Sequence, residues 1–384
     1  MNQAKQVELM KNDSLWQDRD LRFDASIKEL HARCGEKCLY SWDKIEDTKG
    51  NSGDEGRLSI TTLRIIWQSK SKPRINLTIG LNCVISLTSR NLHNKLRGRC
   101  NALHIMCKCN GTRYEFIFTP LDQDESTAND PIYSRGIQIT QQVSRICKAY
   151  FCTKLFRDLK LRSAIFTPQG KQLKILAGEQ IYNKFQGVWN LSSDQGNLGT
   201  MHVTNLRIIW HANVNELFNL SLPYIQVSGI KVRESKFGPA LVIESSESSG
   251  AYVLGFRIDP SQRLNSVFSE LCNLYNVHFT NPNYGVEAYP GLESSIGNGS
   301  SDNVLTYGAN LGPTNVIGTP SDESDYVERN RENNPDIIAS YLEDDGQNIG
   351  NDSKPVYCPK LGLAIEKIKD GYTLESLWNV IPSD

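Results

Sequence analysis

The 384-residue chain has no run of 18 apolar residues, and its opening MNQAKQVELMKNDSLWQDRD lacks the apolar stretch of a secretory signal. That excludes a helical membrane span and makes an intracellular protein the expectation. No GxxxxGK followed by Ser or Thr, no HExxH and no GxSxG occurs, and the six histidines are scattered. The chain is therefore expected not to be an enzyme. Its ten cysteines include one C-x3-C pair, Cys34 and Cys38, and one C-x-C pair, Cys107 and Cys109, inside the strand-like ALHIMCKCN. Neither spacing suits zinc, and strand alternation makes the second pair packed or solvated thiols, so no metal, cofactor or disulfide framework is expected. A net charge of -1 without helix-turn-helix or finger spacing argues against nucleic acid. Near-neutrality hides a dipole, because Arg57 to Arg113 holds 11 Lys or Arg and no acid, while residues 281 to 352 hold 13 acids against Arg329 and Arg331.

What is present is one pattern written twice. Residues 56 to 67 read GRLSITTLRIIW and residues 199 to 210 read GTMHVTNLRIIW. An offset of 143 holds from Gly35-Glu36, answered by Gly178-Glu179, through NLTIGLNCVISL from Asn76, answered by NLSLPYIQVSGI from Asn219. Ala102-Leu103-His104-Ile105 then meets Ala240-Leu241-Val242-Ile243 at 138, so the second copy has lost five residues in between, where a loop makes the loss cheap.

Alternation over 57 to 67 and 200 to 210, each after a polar turn cluster, predicts strands. Shorter ones are predicted over 74 to 79, 83 to 88, 102 to 108 and 113 to 118, and over 218 to 222, 225 to 232, 240 to 245 and 252 to 258. Ile139, Val143, Ile146, Cys147, Tyr150, Phe151, Leu155 and Leu159 recur at helical spacing. Asp259 as cap and Pro260 in the first turn are expected to start a second helix bearing Leu264, Val267, Phe268, Leu271 and Leu274. The fold class expected is mainly β with α: two tandem pleckstrin-homology-like (GRAM-like) barrels, each closed by a C-terminal helix. The expected organisation is a flexible N-terminus over 1–15, barrels over 16–160 and 161–280, an acidic disordered linker over 281–353 and a docking segment over 354–384.

Longer strings carry a sharper likeness: WQDRDLRFD from Trp16, WDKIEDTKGNSGDEGRL from Trp42, KLRGRCNAL from Lys95, YEFIFT from Tyr114, GVWNLSSDQGNLGT from Gly187, ESKFGPALVIESS from Glu234 and GLAIEKIKDGYTL from Gly362. In these the chain resembles the Bardet-Biedl syndrome 5 family, departing from it over 286–353, where its linker is longer. The resemblance implies a subunit of the BBSome, a coat-like complex that moves membrane proteins into and out of cilia. Its implied partners are other BBSome subunits, phosphoinositide-containing membranes and, indirectly through the complex, an Arf-like small GTPase. The implied locations are the cytoplasm, the ciliary basal body, the cilium and, peripherally, the ciliary membrane.

The acid-free stretch supplies the lipid-binding candidates: Lys70, Lys72 and Arg74 around one turn, and Lys95, Arg97 and Arg99 in the next long loop. In the second copy Lys231, Arg233 and Lys236 surround Glu234 and give a weaker field. The same charges suit acidic faces of other subunits or plain solvation of strand edges, so a purely structural scaffold without lipid contact is the alternative. Arg64 and Arg207 are expected to face outward or pair locally, and Trp67 and Trp210 to fill equivalent core positions. Asp43, Glu46 and Asp47 read as partner-facing or turn carboxylates, and His211 as a solvated strand end. Leu361, Ala364, Ile365 and Ile368, then Leu374, Leu377 and Trp378, predict a short helical apolar face that orders only against a partner or this chain's barrels.

Overall fold

The β-branched, alternating segments form antiparallel ladders in the same order in both copies. The computed structural model describes residues 18–94, 98–121, 135–162, 165–167, 170–192, 196–289, 304–306, 341, 356–358 and 363–365. The first copy runs β1 (Leu21–Phe23), α1 (Ile27–Leu30), β2 (Cys38–Asp47), β3 (Asn51–Thr61), β4 (Arg64–Ser69), β5 (Asn76–Gly80), β6 (Val84–Asn94), β7 (Gly98–Cys109), β8 (Thr112–Pro120) and α2 (Arg135–Cys152). The second runs β9 (Lys160–Leu161), β10 (Phe166–Thr167), β11 (Gly170–Leu173), β12 (Ile181–Asn190), β13 (Asn197–Thr204), β14 (Arg207–Ala212), β15 (Asn219–Pro223), β16 (Val227–Ser235), β17 (Gly238–Ser245), β18 (Val253–Ile258) and α3 (Leu264–Thr280). β19 (Val304–Thr306) follows, then a hairpin of β20 (Val356–Cys358) and β21 (Leu363–Ile365). Both copies fall in one compact unit ending at Tyr341, and the last hairpin in another.

The first sheet is ordered β1-β5-β4-β3-β2-β8-β7-β6-β19 and the second β16-β17-β18-β12-β13-β14-β15-β9. Leu58 faces Trp67 across β3 and β4 as Met201 faces Trp210 across β13 and β14, which is the 143-residue offset kept in register. In the tight turns, Thr61 and Thr204 hydroxyls accept the backbone N–H of Arg64 at 3.0 Å and Arg207 at 2.9 Å. Each indole then donates to a carbonyl of an equivalent strand, Trp67 to Ile45 of β2 at 2.9 Å and Trp210 to Val188 of β12 at 3.0 Å. A methyl at Gly56 would come within 2.5 Å of the Trp67 ring and one at Gly199 within 2.6 Å of the Trp210 ring, so only glycine fits beneath either indole. The lost residues lie in one hairpin: β6 and β7 have 11 and 12 residues, β16 and β17 only 9 and 8.

Arg64 and Arg207 correct the outward expectation, for they are 1% and 0% exposed. Arg64 donates to both oxygens of Glu36 at 2.9 and 3.1 Å, and Arg207 to both of Glu179 at 2.7 and 2.9 Å. Backbone carbonyls of Glu29 and His31 in one copy, and of Lys174 in the other, take further guanidinium protons. A guanidinium this fully paired can leave water; an unpaired one cannot. Gly35 and Gly178, both at φ +72°, turn the chain so that the glutamate after each enters the core.

Helix α2 packs on β6 and β7, and α3 on β16 and β17, burying Ile139, Val143, Ile146 and Tyr150 in the first copy and Leu264, Val267, Phe268 and Leu271 in the second. Leu159 lies outside α2. Pro260 precedes a 3-10 turn, Ser261–Arg263, rather than entering α3, and the Asp259 carboxylate accepts from Trp189 at 3.0 Å and Arg257 at 3.2 Å instead of capping. Ala364 and Ile365, expected on a helix, lie in β21, which pairs antiparallel with β20, Val356 opposite Ile365 and Tyr357 opposite Ala364; β-branched and aromatic residues of this kind favour a strand. Residues 366–384, the expected N-terminus and nearly all of the expected linker fall outside the described residues. Among the described residues no helix is long and apolar enough to cross a membrane.

The copies are joined through Arg157, 1% exposed. Its guanidinium stacks 3.8 Å from the Tyr150 ring and donates to Thr153 Oγ1 at 3.1 Å and to the Tyr284 carbonyl, beyond α3, at 2.5 Å. Tyr284 donates back to the Cys34 carbonyl at 2.8 Å, and its ring packs with Leu63 and Ile225, one from each copy.

Candidate functional site

The turn between β4 and β5 is held by its own side chains. Ser69 Oγ accepts the Lys72 N–H at 3.1 Å, and Asn76 donates to the carbonyls of Arg74 at 3.1 Å and Ala25 at 2.9 Å. The turn therefore presents Lys70, Lys72 and Arg74 from a fixed backbone, all three exposed. Lys70 Nζ meets Glu55 at 2.8 Å with its side chain 74% exposed, a pair worth little in water. Among the described residues Lys72 and Arg74 meet no carboxylate. Arg74 also lines a surface pocket of about 530 Å³ with Lys28, Ser26, Ile27 and Asp24.

At the matching turn, between β14 and β15, Asn213, Val214, Asn215, Glu216 and Leu217 replace the basic set. Val214 is 97% and Leu217 68% exposed. The fold is shared, and the surface chemistry of the turn is not.

The remaining candidates are dispersed. Lys95 and Arg97 lie outside the described residues, and Arg99 is placed by its backbone alone, opposite His93. Lys231 and Arg233, on β16, share Glu244 at 2.8 and 3.5 Å, and Lys236 lies 4.9 Å from the Phe237 ring. Lys231 and Arg233 sit on an edge strand and Lys236 in the turn after it, none of them at Asn213, the position equivalent to Lys70.

The window without acids is also less bare in three dimensions. Arg57 meets Asp43 at 2.6 Å, and Arg90 meets Glu115 at 2.9 Å. Glu115 further accepts Lys49 at 2.5 Å and His104 Nε2 at 2.6 Å. Burial pushes the Glu115 carboxyl up, but its His104 and Lys49 partners outweigh that and hold it at about 2. Lys28 and Lys49, absent from the sequence candidates, lie before the basic window, and only folding brings Lys28 to the pocket lined by Arg74 and Lys49 to Glu115.

Glu46 and Asp47 are buried, which corrects a partner-facing reading. Glu46 accepts the Gly53 N–H at 2.6 Å. Asp47 accepts Asn51 Nδ2 at 2.8 Å and the hydroxyl of Tyr341, whose ring is wedged 5.1 Å from Phe23 and 5.0 Å from Phe116. Burial raises the Asp47 carboxyl to about 6 against these hydrogen bonds. His211 is half-buried, not solvated: it stacks on His202 with centroids 5.5 Å apart and meets the edge of Phe166 at 5.2 Å. Among the described residues no three His, Cys, Asp or Glu side chains are arranged to hold a metal ion.

Two antiparallel sheets of one topology, each followed by a helix that packs on its β6–β7 or β16–β17 hairpin, define a tandem pleckstrin-homology-like protein. The Bardet-Biedl syndrome 5 protein N-terminal PH-like domain matches residues 36–151, and that protein's second PH-like domain matches residues 160–288. The chain is 46% identical to BBSome complex member BBS5 of Danio rerio over 369 residues, 96% of this chain and 98% of the relative. It is 45% identical to the Homo sapiens protein of that name over the same shares. To BBSome complex member bbs-5 of Caenorhabditis elegans it is 39% identical over 382 residues, 97% of this chain and 99% of the relative. The chain belongs to the Bardet-Biedl syndrome 5 protein family.

Proposed function

We propose that this chain is a non-enzymatic BBSome subunit serving ciliary membrane-protein trafficking and cilium assembly, and that its first domain reads phosphoinositides through the β4–β5 turn. The observation that carries the lipid reading is the contrast between equivalent turns: Lys72 and Arg74 stand exposed where the second domain has Asn215 and Leu217. An exposed Lys or Arg near an anionic bilayer contributes about 1 kcal/mol, so one turn binds weakly and an assembled coat multiplies it by avidity. Lys95, Arg97 and Arg99 belong to the same acid-free stretch of sequence and are proposed as further lipid contacts.

The test is flotation of the full chain with vesicles containing phosphatidylinositol phosphates. The triple variant Lys28→Ala, Lys72→Ala, Arg74→Ala is expected to lose about 3 kcal/mol, roughly a hundredfold, with the loss shrinking as salt is added. Unchanged flotation at low salt rejects this turn as the lipid contact. A scaffold without lipid contact is the second reading, favoured by the carboxylate pairing of Arg57, Lys70 and Arg90. It predicts that the triple variant instead lowers incorporation into the complex.

A further inference from the structure

In the first domain the outer edge of β6 is not bare. β19 adds to it antiparallel, with Val304 opposite Thr88, Leu305 opposite Leu87 and Thr306 opposite Ser86. Those three residues lie outside the repeat, so the sheet edge has captured an extended segment from elsewhere in the chain. An edge strand offers a row of N–H and C=O groups, and an added strand completes the ladder.

β16 is the same strand in the second domain. Ser86, Leu87 and Thr88 correspond to Gly229, Ile230 and Lys231. Both strands shift register at the same place, between Val84 and Ser86 and between Val227 and Gly229, before pairing inward with β7 and β17. A helix packs beside each, α2 on β6 and α3 on β16. Yet β16 ends its sheet, and among the described residues no strand pairs with its outer edge. Ser228, Arg233 and Glu234 are exposed there, and Lys231 and Val232 are half-buried. Lys231 and Arg233 share a single carboxylate, Glu244, so the strand face they occupy keeps a surplus of positive charge, while Glu234 alternates to the face of Ile230 and Val232.

We propose that the outer edge of β16 is a docking site for an extended segment of a partner protein, acidic and apolar in alternation, which adds to the second sheet as residues 304–306 add to the first. Cross-strand neighbours share a face, so a partner residue opposite Ile230 or Val232 is apolar and one opposite Lys231 is Asp or Glu. The first domain follows the apolar half of that rule, with Leu305 opposite Leu87, the counterpart of Ile230. The site is independent of the lipid-facing turn, and its failure would leave the vesicle result standing.

The test uses the full chain and a fluorescein-labelled seven-residue peptide alternating valine and aspartate, read by anisotropy and by amide hydrogen exchange. Saturable binding is expected to slow exchange in β16, to leave β6 unchanged, and to weaken about tenfold or more in K231E/R233E. A peptide with proline at its centre is expected to bind less, because it cannot complete the ladder. Should the double variant melt below the parent, R233S, whose side chain is 60% exposed, replaces it with an expected loss of about threefold. Absence of protection in β16, protection confined to β6, or binding indifferent to the charge changes would overturn the proposal.

Discussion

At the β4–β5 turn the first domain presents Lys70, Lys72 and Arg74, and at the β14–β15 turn the second presents Val214 and Leu217 on the same backbone plan. Beneath these turns the domains share their central bonds, the arginine on its glutamate and the indole on its carbonyl. The buried half of the pattern sets the fold, and the exposed half is free to set partners.

The largest expected effect tests the buried half. Arg64→Ala and Arg207→Ala each leave a buried glutamate without its cation, a loss of about 3–5 kcal/mol. Urea unfolding followed by hydrogen exchange should give equal losses in the two domains; a cost confined to one would break the comparison. Among the described residues Tyr341 has no such counterpart in the second domain. Tyr341→Ala should cost about 3 kcal/mol and speed exchange in the first domain alone, whereas Tyr341→Phe, which keeps the ring, should cost about 1 kcal/mol. Equal loosening of both domains by Tyr341→Ala would show that this residue supports the whole unit.

The pH profile separates the domains next. Burial raises Asp18 and Asp47 from 3.8 to about 6, and both lie in the first domain, where Asp47 answers Asn190 of the second. A carboxyl raised by folding adds stability below about pH 4 and loses it as pH rises through about 6, on the order of 3 kcal/mol for each group. Glu115, depressed to about 2, works the other way: its contribution is full above its unfolded value and is lost as pH falls through about 2. Asp47→Asn should flatten the fall in first-domain stability between pH 4 and 6, as read from unfolding midpoints across that range. A profile as steep as the parent's would remove Asp47 from the account. The smallest effect is expected from Val214→Ser with Leu217→Ser: both side chains are exposed, so stability should move by less than about 0.5 kcal/mol and vesicle binding should stay at the parent level.

How far the sequence could be read follows from locality. The repeat, the strands and both closing helices are local patterns, and the equivalent tryptophans are paired by sequence alone because the offset never slips through LRIIW. Neither an outward position nor a local pair describes Arg64 and Arg207, because the partners that let them be buried, Glu36 and Glu179, lie 28 residues earlier. The basic window looked bare because Asp43, Glu55 and Glu115 sit outside it or on its rim and enter through strand pairing. Tyr341 contacts Asp47 across 294 residues, and no local pattern announces that. Of the lipid candidates, the turn at Lys70 to Arg74 was legible as charge, but Lys28 joins Arg74 only through the pocket between them.

The central claim is that one turn, not the shared fold, confers the lipid contact. Its most direct test is to exchange residues 70–74 with residues 213–217 in the full chain and to float each graft on vesicles containing phosphatidylinositol phosphates. Placing Asn-Val-Asn-Glu-Leu in the first domain alone should abolish most of the salt-sensitive binding, and restoring the basic turn in the second domain should recover part of it. A chain with the apolar turn in both domains that still floats like the parent would contradict the account.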